Sequence, residues 1–415
     1  MDATPNSTIA AAAHSRPAAL VIGFACAALV LNLIGFVTAG AVLPALIADW
    51  HLSNREAGLL GGALFGGTAA AVPVLVSLTD RIRPKRIYLV FTTVSALSSA
   101  LVAVLADGFW SAFALRVLTG VGLAGTYMPG LKALSDHFEE PVRSRAATIY
   151  TSVFALGTAL SIWIGGTIGD WYGWRWSFAA AALGNAAALA VGWVFLPEGR
   201  ADGAGSSRRL LDIRPVLRNR PAVRLILAYT GHLWEMFAFR VWGVAFLVAA
   251  EKAANAGAFA ISPVALASIA ALVGVPASMA TGEAGMRFGR RAVMLTMMAA
   301  SATTALIVGG SLGLPFLAIA AIVLFYGVVT YGDSGTLSGG IVAVADPALR
   351  GSTLAVYSSA GFVGGLLGPA AVGVAIDLAG GTGSAGAWLV AFAVMGAGSV
   401  CAAAAVLSGP VEKRR

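Results

Sequence analysis

The sequence predicts an all-α integral membrane protein with twelve transmembrane helices in two six-helix bundles. Of its 415 residues, 58% are hydrophobic and only 11% are charged, whereas soluble domains carry about 25% charged residues. Apolar stretches of about 20 residues, the length that crosses a bilayer, recur along the chain. The 51 glycines also fit a membrane bundle, because small residues allow helices to approach closely.

Short polar breaks separate the apolar stretches, and the longest break, 197–221, divides six spans from six. The predicted bundles cover 18–196 and 222–408, between a polar, disordered N-terminus at 1–17 and a basic tail at 409–415. A cleaved signal peptide is not expected, because the first apolar run is too long for one. The predicted spans are 18–47, 57–79, 87–106, 109–133, 146–169, 176–196, 222–250, 259–281, 292–313, 315–345, 351–379 and 385–408.

Lysine and arginine are distributed unequally between the two sides of the membrane. The two termini and alternate loops hold 22 of the 27 basic residues, the remaining loops hold three, and the spans hold two. Basic residues concentrate in cytoplasmic loops, so both termini and the central loop are predicted to face the cytoplasm of a bacterial cell, across its inner membrane. The net charge of +8 has the same origin, and its scattered residues do not indicate nucleic-acid binding.

Two pairs of basic residues indicate an internal duplication. Arg81 and Arg287 follow the second and eighth spans and lie 206 residues apart, and Arg145 and Arg350 precede the fifth and eleventh spans and lie 205 residues apart. The nearly equal offsets predict two copies of a six-span unit, related by a pseudo-twofold axis along the membrane normal. Parallel repeats of this kind are typical of carriers that work by alternating access.

Several motifs fall at corresponding places in this pattern. They are Asp80-Arg81-Ile82-Arg83-Pro84-Lys85-Arg86, Met286-Arg287-Phe288-Gly289-Arg290-Arg291, Arg116-x-x-x-Gly120-x-Gly122 and Trp174-Arg175-Trp176-x-Phe178. Together they resemble those of the major facilitator superfamily, and the resemblance covers all twelve spans. It implies a secondary transporter whose central cavity is lined by the first, fourth, seventh and tenth helices. The chain departs from the family signature at Val76 and Arg83, which replace glycines, and at Met286, which replaces the acid.

The same resemblance implies a cytoplasmic gate. Asp80 resembles the family acid that contacts the positive N-terminal end of the eleventh helix, which begins just after Arg350. Such a contact would close the cytoplasmic side while the carrier faces outward. Arg81, Arg145 and Arg287 complete the predicted gate, and topology signalling is the alternative explanation for these basic residues.

Charged residues within spans are candidates for function, because a charge near the bilayer centre costs about 2.5–3.5 kcal/mol. Span seven places His232, Glu235 and Phe239 on one helical face, with Arg240 on its flank. Glu235 lies about 20 Å along this span, near mid-membrane. A carboxylate beside an imidazole can share a proton, so the pattern favours proton coupling. A structural pair between Glu235 and an arginine is the alternative.

Span ten places Tyr326, Thr330 and Asp333 on one face, again near mid-membrane, and the glycines around Asp333 would allow a bend there. This face predicts proton coupling or substrate contact, and an ion pair of Asp333 with Arg116 or Arg240 is the alternative.

The first and fourth spans supply the remaining cavity candidates. The resemblance associates Arg116 with proton coupling, and Tyr127 shares its helical face. Asn32, Arg116, Glu235 and Asp333 fall one on each of the four helices that line the family's cavity.

Two arginines and a histidine beside aromatic residues predict proton-coupled transport of a small organic or inorganic anion. The predicted protein is a monomer in the lipid bilayer, driven by a proton gradient and holding no cofactor or metal. Proton-driven export of hydrophobic compounds is the main alternative, although span five lacks the Gly-Pro signature of drug antiporters. A membrane enzyme is disfavoured because the sequence has no His-Glu-x-x-His run and no phosphate-binding loop. A non-transporting sensor is a further alternative.

Overall fold

A computed structural model describes residues 17–79, 81–201, 213–254 and 261–411. These residues form helices joined by short connections, and they include 11 helices that are long and apolar enough to cross a membrane. A broken first helix adds the twelfth span, so the predicted all-α, twelve-helix fold class is confirmed. The predicted N-terminal segment before residue 17, Asp80, residues 202–212 of the central loop and residues 412–415 of the basic tail lie outside the described residues.

We number the spanning helices 1 to 12 along the chain. The unbroken ones are helix 2 (Asn54–Leu78), helix 3 (Pro84–Leu105), helix 4 (Phe109–Ser135), helix 5 (Val142–Tyr172), helix 6 (Trp174–Phe195), helix 7 (Arg220–Ala253), helix 8 (Pro263–Phe288), helix 9 (Arg290–Gly309), helix 11 (Arg350–Leu378) and helix 12 (Ala385–Leu407). A short helix, Arg214–Arg218, lies within the segment predicted to be a loop.

Helix 1 is interrupted near its middle, where the sequence predicted a continuous span. Its segments are Ala18–Leu33, Thr38–Ala41 and Leu43–Trp50. The interruption leaves backbone carbonyls without helical partners, and two of them, those of Gly35 and Phe36, accept hydrogen bonds from the Arg116 guanidinium at 2.9 and 3.1 Å. A membrane protein tolerates such a break only where protein groups replace the lost bonds.

Helix 10 is also interrupted, and Asp333 occupies the break between Phe316–Gly332 and Ser334–Val344. The backbone carbonyl of Asp333 accepts hydrogen bonds from the Thr336 hydroxyl and the Leu337 amide at 2.8 and 2.9 Å, which starts the second segment. The break therefore holds a carboxylate at a fixed place among the helices.

The two halves contact each other at one end of the molecule, which we call the outer end because the charge distribution predicts that it faces away from the cytoplasm. At this end, helix 2 packs on helix 11 with Gly58 against Pro369 and Gly373 against Asn54. A Cβ atom on either glycine would overlap the facing backbone, so these positions need glycine for the close approach. Gly166 of helix 5 contacts Val264 of helix 8 nearby.

The tryptophan motif at the start of helix 6 joins two elements of the first half. The Trp174 indole donates a hydrogen bond to Asp49 at 2.9 Å, and its ring packs edge-on against Trp50 with 4.8 Å between centroids. The motif therefore connects the end of helix 1 to the start of helix 6.

Candidate transport site

Glu235 of helix 7 is buried inside the C-terminal half, with only 1% of its surface exposed. One carboxylate oxygen accepts hydrogen bonds from Ser301 at 2.9 Å and Tyr326 at 2.8 Å, and the other accepts one from Ser399. These hydroxyls come from helices 9, 10 and 12. Within the described ranges, no basic side chain bonds to this carboxylate, so the predicted alternative of a pair with an arginine is not what the structure shows. Because hydroxyls can donate or accept, the same shell fits an ionised or a protonated carboxyl group.

His232 lies one turn before Glu235 and pairs with Asp333. Its Nδ1 atom is 2.7 Å from Oδ1 of Asp333, and both side chains are almost completely buried. The ring of Tyr229 stacks on the imidazole with 5.8 Å between centroids. The partner of Asp333 is thus a histidine on helix 7, not Arg116 or Arg240 as the alternative interpretation expected.

Two other predicted residues pack around this polar cluster. The Thr330 hydroxyl lies 3.1 Å from that of Ser301, and the Phe239 ring contacts Tyr326 edge-on at 4.9 Å. The sequence predicted that Glu235, Phe239, Tyr326 and Thr330 line the central cavity. Glu235, Tyr326 and Thr330 lie inside the C-terminal half, whereas Phe239 also lines a small cavity between the halves.

Arg240 lies at the boundary between the two halves. Its Nε atom donates to the Tyr331 hydroxyl at 2.7 Å, and its charge lies over three rings, Phe36, Phe237 and Tyr331, with 5.9, 5.1 and 5.0 Å to their centroids. Phe36 belongs to the break in helix 1, in the other half. Arg240 is 7% exposed, and its Nη1 atom has no hydrogen-bond partner in the part of the chain that the structure describes. A guanidinium with a spare donor can bind a carboxylate or another oxyanion.

A small cavity lies beside Arg240, between the halves. Ile162 of helix 5 lines it from one side, and Gly243, Ala267 and Tyr331 line it from the other. Its volume of about 10 Å³ admits a single water molecule. A larger ligand can therefore reach this face of Arg240 only when the halves move apart.

The predicted residues of the N-terminal half are separate from this cluster. Arg116 is 1% exposed, binds the carbonyls at the break in helix 1 and lies over the Phe178 ring at 5.6 Å. The Asn32 amide donates to the Tyr88 hydroxyl at 2.7 Å, and the Tyr127 ring stacks on Tyr150 with 6.0 Å between centroids. The structure thus gives Arg116 a role in holding helix 1 together.

Sequence reasoning missed several residues of the site: Phe36, Phe237, Ser301, Tyr331 and Ser399. Serines and aromatic residues are common in membrane helices, so nothing in the sequence distinguishes Ser301 or Ser399. Tyr331 had a detectable signal, because it is two residues from Asp333 in the predicted polar stretch of span ten.

The residues of the predicted cytoplasmic gate lie at the opposite end from the contact between helices 2 and 11. Arg81, Arg145 and Arg350 are exposed, and Arg287 forms an ion pair with Glu283 of the same helix at 2.9 Å. Since Asp80 lies outside the described residues, the contact expected of it stays a prediction.

A carboxylate does join the halves at the outer end. Asp377, near the end of helix 11, accepts hydrogen bonds from the backbone amides of Asn54 and Arg55 at 3.1 and 2.8 Å, and from the Asn54 side chain at 2.8 Å. Asn54 and Arg55 begin helix 2, whose free amides and positive end favour an acid. Asp377 therefore caps helix 2 from the opposite half of the molecule.

Twelve membrane helices in two halves, with charged groups buried at and near the boundary between the halves, are typical of secondary transporters. The sequence profile described as Major Facilitator Superfamily matches residues 25–265. The chain belongs to this superfamily and is a multi-pass membrane transporter, as the motifs predicted; it is not an enzyme.

The relatives are distant. The chain is 25% identical over 214 residues to the probable sphingolipid transporter spinster homolog 2 of Arabidopsis thaliana, covering 47% of this chain and 44% of that protein. It is 30% identical over 164 residues to the gallate transporter of Pseudomonas putida, covering 38% and 35%. The chain thus spans less than half the length of these curated relatives. The crystal structure of a bacterial homolog of the human lysosomal transporter Spinster, inward-facing and occupied, has a TM-score of 0.75 at 17% identity, with 95% and 97% of the two chains covered.

Proposed function

We propose that the protein transports a small organic anion by alternating access and couples this transport to proton movement in the same direction. The proposal rests on the observation that the buried guanidinium of Arg240 has a donor atom without a partner among the described residues. A buried charge without a counter-ion is costly, and this guanidinium has no carboxylate partner among the described residues. It lies where the two halves meet, so an anionic substrate would complete the site and would contact both halves.

The surroundings of Arg240 favour a planar carboxylate. Phe237 and Tyr331 present ring faces within about 5 Å of the guanidinium, and Phe36 adds a third ring from the opposite half. Such rings stack on a flat, conjugated ligand while the guanidinium binds its carboxylate. The distant relative that carries gallate supports this class, because gallate is an aromatic acid.

Proton coupling rests on the two buried acids of the C-terminal half. Glu235 lies in a shell of hydroxyls that fits both of its protonation states, and Asp333 faces a histidine that can take up a proton. A neutral carboxyl group is cheaper to enclose in a dry helix bundle than an ionised one. Protonation from outside would therefore favour the movement that carries the substrate inward.

The remaining parts of the proposal are a monomer in a bacterial inner membrane, with both termini in the cytoplasm.

The test is uptake by purified protein in proteoliposomes with an inward proton gradient. The panel contains gallate, an aliphatic monocarboxylate, a nucleoside and a sphingoid base. We expect accumulation of the aromatic acid, and Arg240→Ala should lower its apparent affinity at least about tenfold, as expected when one charge-assisted hydrogen bond is lost. The matched control is Arg175→Ala, because Arg175 lies at the outer end and binds the Ala103 carbonyl and the Trp174 ring.

Two results would count against the proposal. If Arg240→Ala transports the acid as well as the unaltered protein does, Arg240 is not the anion site. If only the sphingoid base is moved, the alternative of hydrophobic export gains support, in line with the relatives named as sphingolipid transporters.

A further inference from the structure

A groove on the surface of the molecule lies away from Arg240, where helices 2, 7 and 11 meet. It has a volume of about 400 Å³, and its walls include Leu59, Trp234, Leu367 and Val374, with Arg55 at one end. Apart from Arg55, every residue that lines it is apolar. Leu367 and Val374 are 48% and 38% exposed, so the groove is open on one side.

The deep end of the groove, at Leu367, lies about one leaflet below the outer membrane surface. At the outer end, Arg55 lies in the first turn of helix 2 and Val374 lies about one turn before the end of helix 11. Leu367 is eleven residues from that end, which is at Leu378. At 1.5 Å per residue this is about 16 Å, close to half of the roughly 30 Å hydrocarbon core. The groove therefore runs from the membrane surface towards the bilayer centre, and its single cation stands at the surface.

The charge of Arg55 is available at the mouth of the groove. The neighbouring acids already accept hydrogen bonds from other groups: Glu56 accepts them from the Ser53 amide and hydroxyl at 2.9 and 2.8 Å, and Asp377 caps helix 2. No salt bridge involves the Arg55 guanidinium within the residues described. An arginine fork binds phosphate oxygens well.

We propose that this groove binds a phospholipid of the outer leaflet, with its phosphate on Arg55 and one acyl chain between helices 2 and 11. A phospholipid fits this groove because apolar residues line it and one arginine stands at its end, at the membrane surface. Because helix 2 and helix 11 belong to different halves, the bound lipid would bridge the halves and favour contact between their outer ends. The proposal does not depend on which substrate the carrier moves.

The probe is phosphatidylglycerol with acyl chains brominated near their middle, because bromine quenches tryptophan fluorescence on contact. The full-length protein is titrated with this lipid in detergent micelles, and the signal of Trp234 is obtained as the difference from Trp234→Phe. We expect saturable quenching of Trp234, with the half-saturating lipid fraction raised about tenfold in Arg55→Ala and unchanged in the Arg175→Ala control. Leu59→Phe should abolish the saturable component by filling the groove.

Two outcomes would overturn the proposal. Quenching that rises linearly with lipid fraction, and equally in Arg55→Ala, would show ordinary boundary lipid. Displacement of the brominated lipid by millimolar inorganic phosphate would show a site for phosphate alone. Trp234 donates a hydrogen bond to the Val394 carbonyl, so Trp234→Phe can perturb the fold. A second measurement avoids that variant: the phospholipid retained per protein through purification, determined by native mass spectrometry, should fall in Arg55→Ala and stay unchanged in Arg175→Ala.

Discussion

At the scale of single residues, Arg240 and Glu235 differ in how completely their polar atoms are hydrogen-bonded. Arg240 has a spare donor at the boundary between the halves, whereas Glu235 is bound by three hydroxyls from three helices. The first arrangement is suited to receiving an anion, and the second to gaining and losing a proton without rearrangement of the helices. Substrate and proton would then act on different faces of helix 7.

Glu235→Gln tests this division. An amide has the shape of the protonated acid but cannot release a proton, so the variant should lose accumulation driven by a pH gradient and should keep exchange of substrate across the membrane. Both are measured on the same proteoliposomes, as gradient-driven uptake and as counterflow. Ser399→Ala is the control, since it removes one hydroxyl and leaves the acid. If Glu235→Gln accumulates substrate as the unaltered protein does, Glu235 is structural.

Asp333→Asn should behave differently. The amide keeps the break in helix 10 but weakens the contact with His232, so we expect reduced substrate affinity or a smaller coupling defect than in Glu235→Gln. The measurement is the same pair of assays, extended to a range of substrate concentrations. A complete loss of gradient-driven uptake with intact counterflow would transfer the coupling role to Asp333.

At the scale of helices, the sequence predicted one interruption better than the other. The glycines around Asp333 indicated a bend in span ten, and the structure has a break there. The break in helix 1 was not predicted, because its stability depends on Arg116, which is about 80 residues away along the chain. The Arg-x-x-x-Gly-x-Gly motif was visible, but the carbonyls that receive its arginine are defined only after the helices pack. The hydroxyl groups that bond to the Glu235 carboxylate could not be predicted for the same reason, because they come from three helices that meet only in the folded protein.

Asp377 and Asp80 are expected to control the two sides of the molecule in opposite directions. Asp377→Ala removes the cap that holds helix 2 to helix 11 at the outer end, and a lost cap costs about 0.5–2 kcal/mol. The population with open outer ends should therefore rise several-fold. Asp80→Asn should shift the carrier the other way, towards inward-facing states, if Asp80 holds the cytoplasmic gate.

Spin labels can report both shifts. Gly108 and Gly313 lie in outer loops of the two halves, and each has open space where a side chain would be added. Cysteines placed at these positions, with Cys26 and Cys401 replaced by alanine, give one distance across the outer end by double electron–electron resonance. Asp377→Ala should lengthen the main distance, and Asp80→Asn should shorten it or leave it short. An unchanged distribution in Asp377→Ala would mean that glycine packing alone holds the outer ends together.

At the scale of the whole molecule, the twelve helices and the two halves followed from apolar length and from the spacing of basic loops, because the bilayer imposes both patterns on the sequence. Which faces of the helices meet could not be predicted in the same way. A helical wheel placed Glu235 and Phe239 together correctly, but it did not tell whether their face turns to the other half or to helices 9, 10 and 12. That choice depends on packing between spans that are far apart in sequence.

The predictions for Asp377 and Arg55 depend on the orientation of the molecule in the membrane. Both residues were assigned to the outer end because one side carries 22 basic residues and the other only three. Gly313 and Gly351 lie at opposite ends, and both have space for a side chain. In a variant without native cysteines, Gly313→Cys should react with a membrane-impermeant maleimide in intact cells, whereas Gly351→Cys should react only after permeabilisation. The reverse pattern would place both termini outside. The cap at Asp377 would then close the cytoplasmic side, and the lipid groove would belong to the inner leaflet.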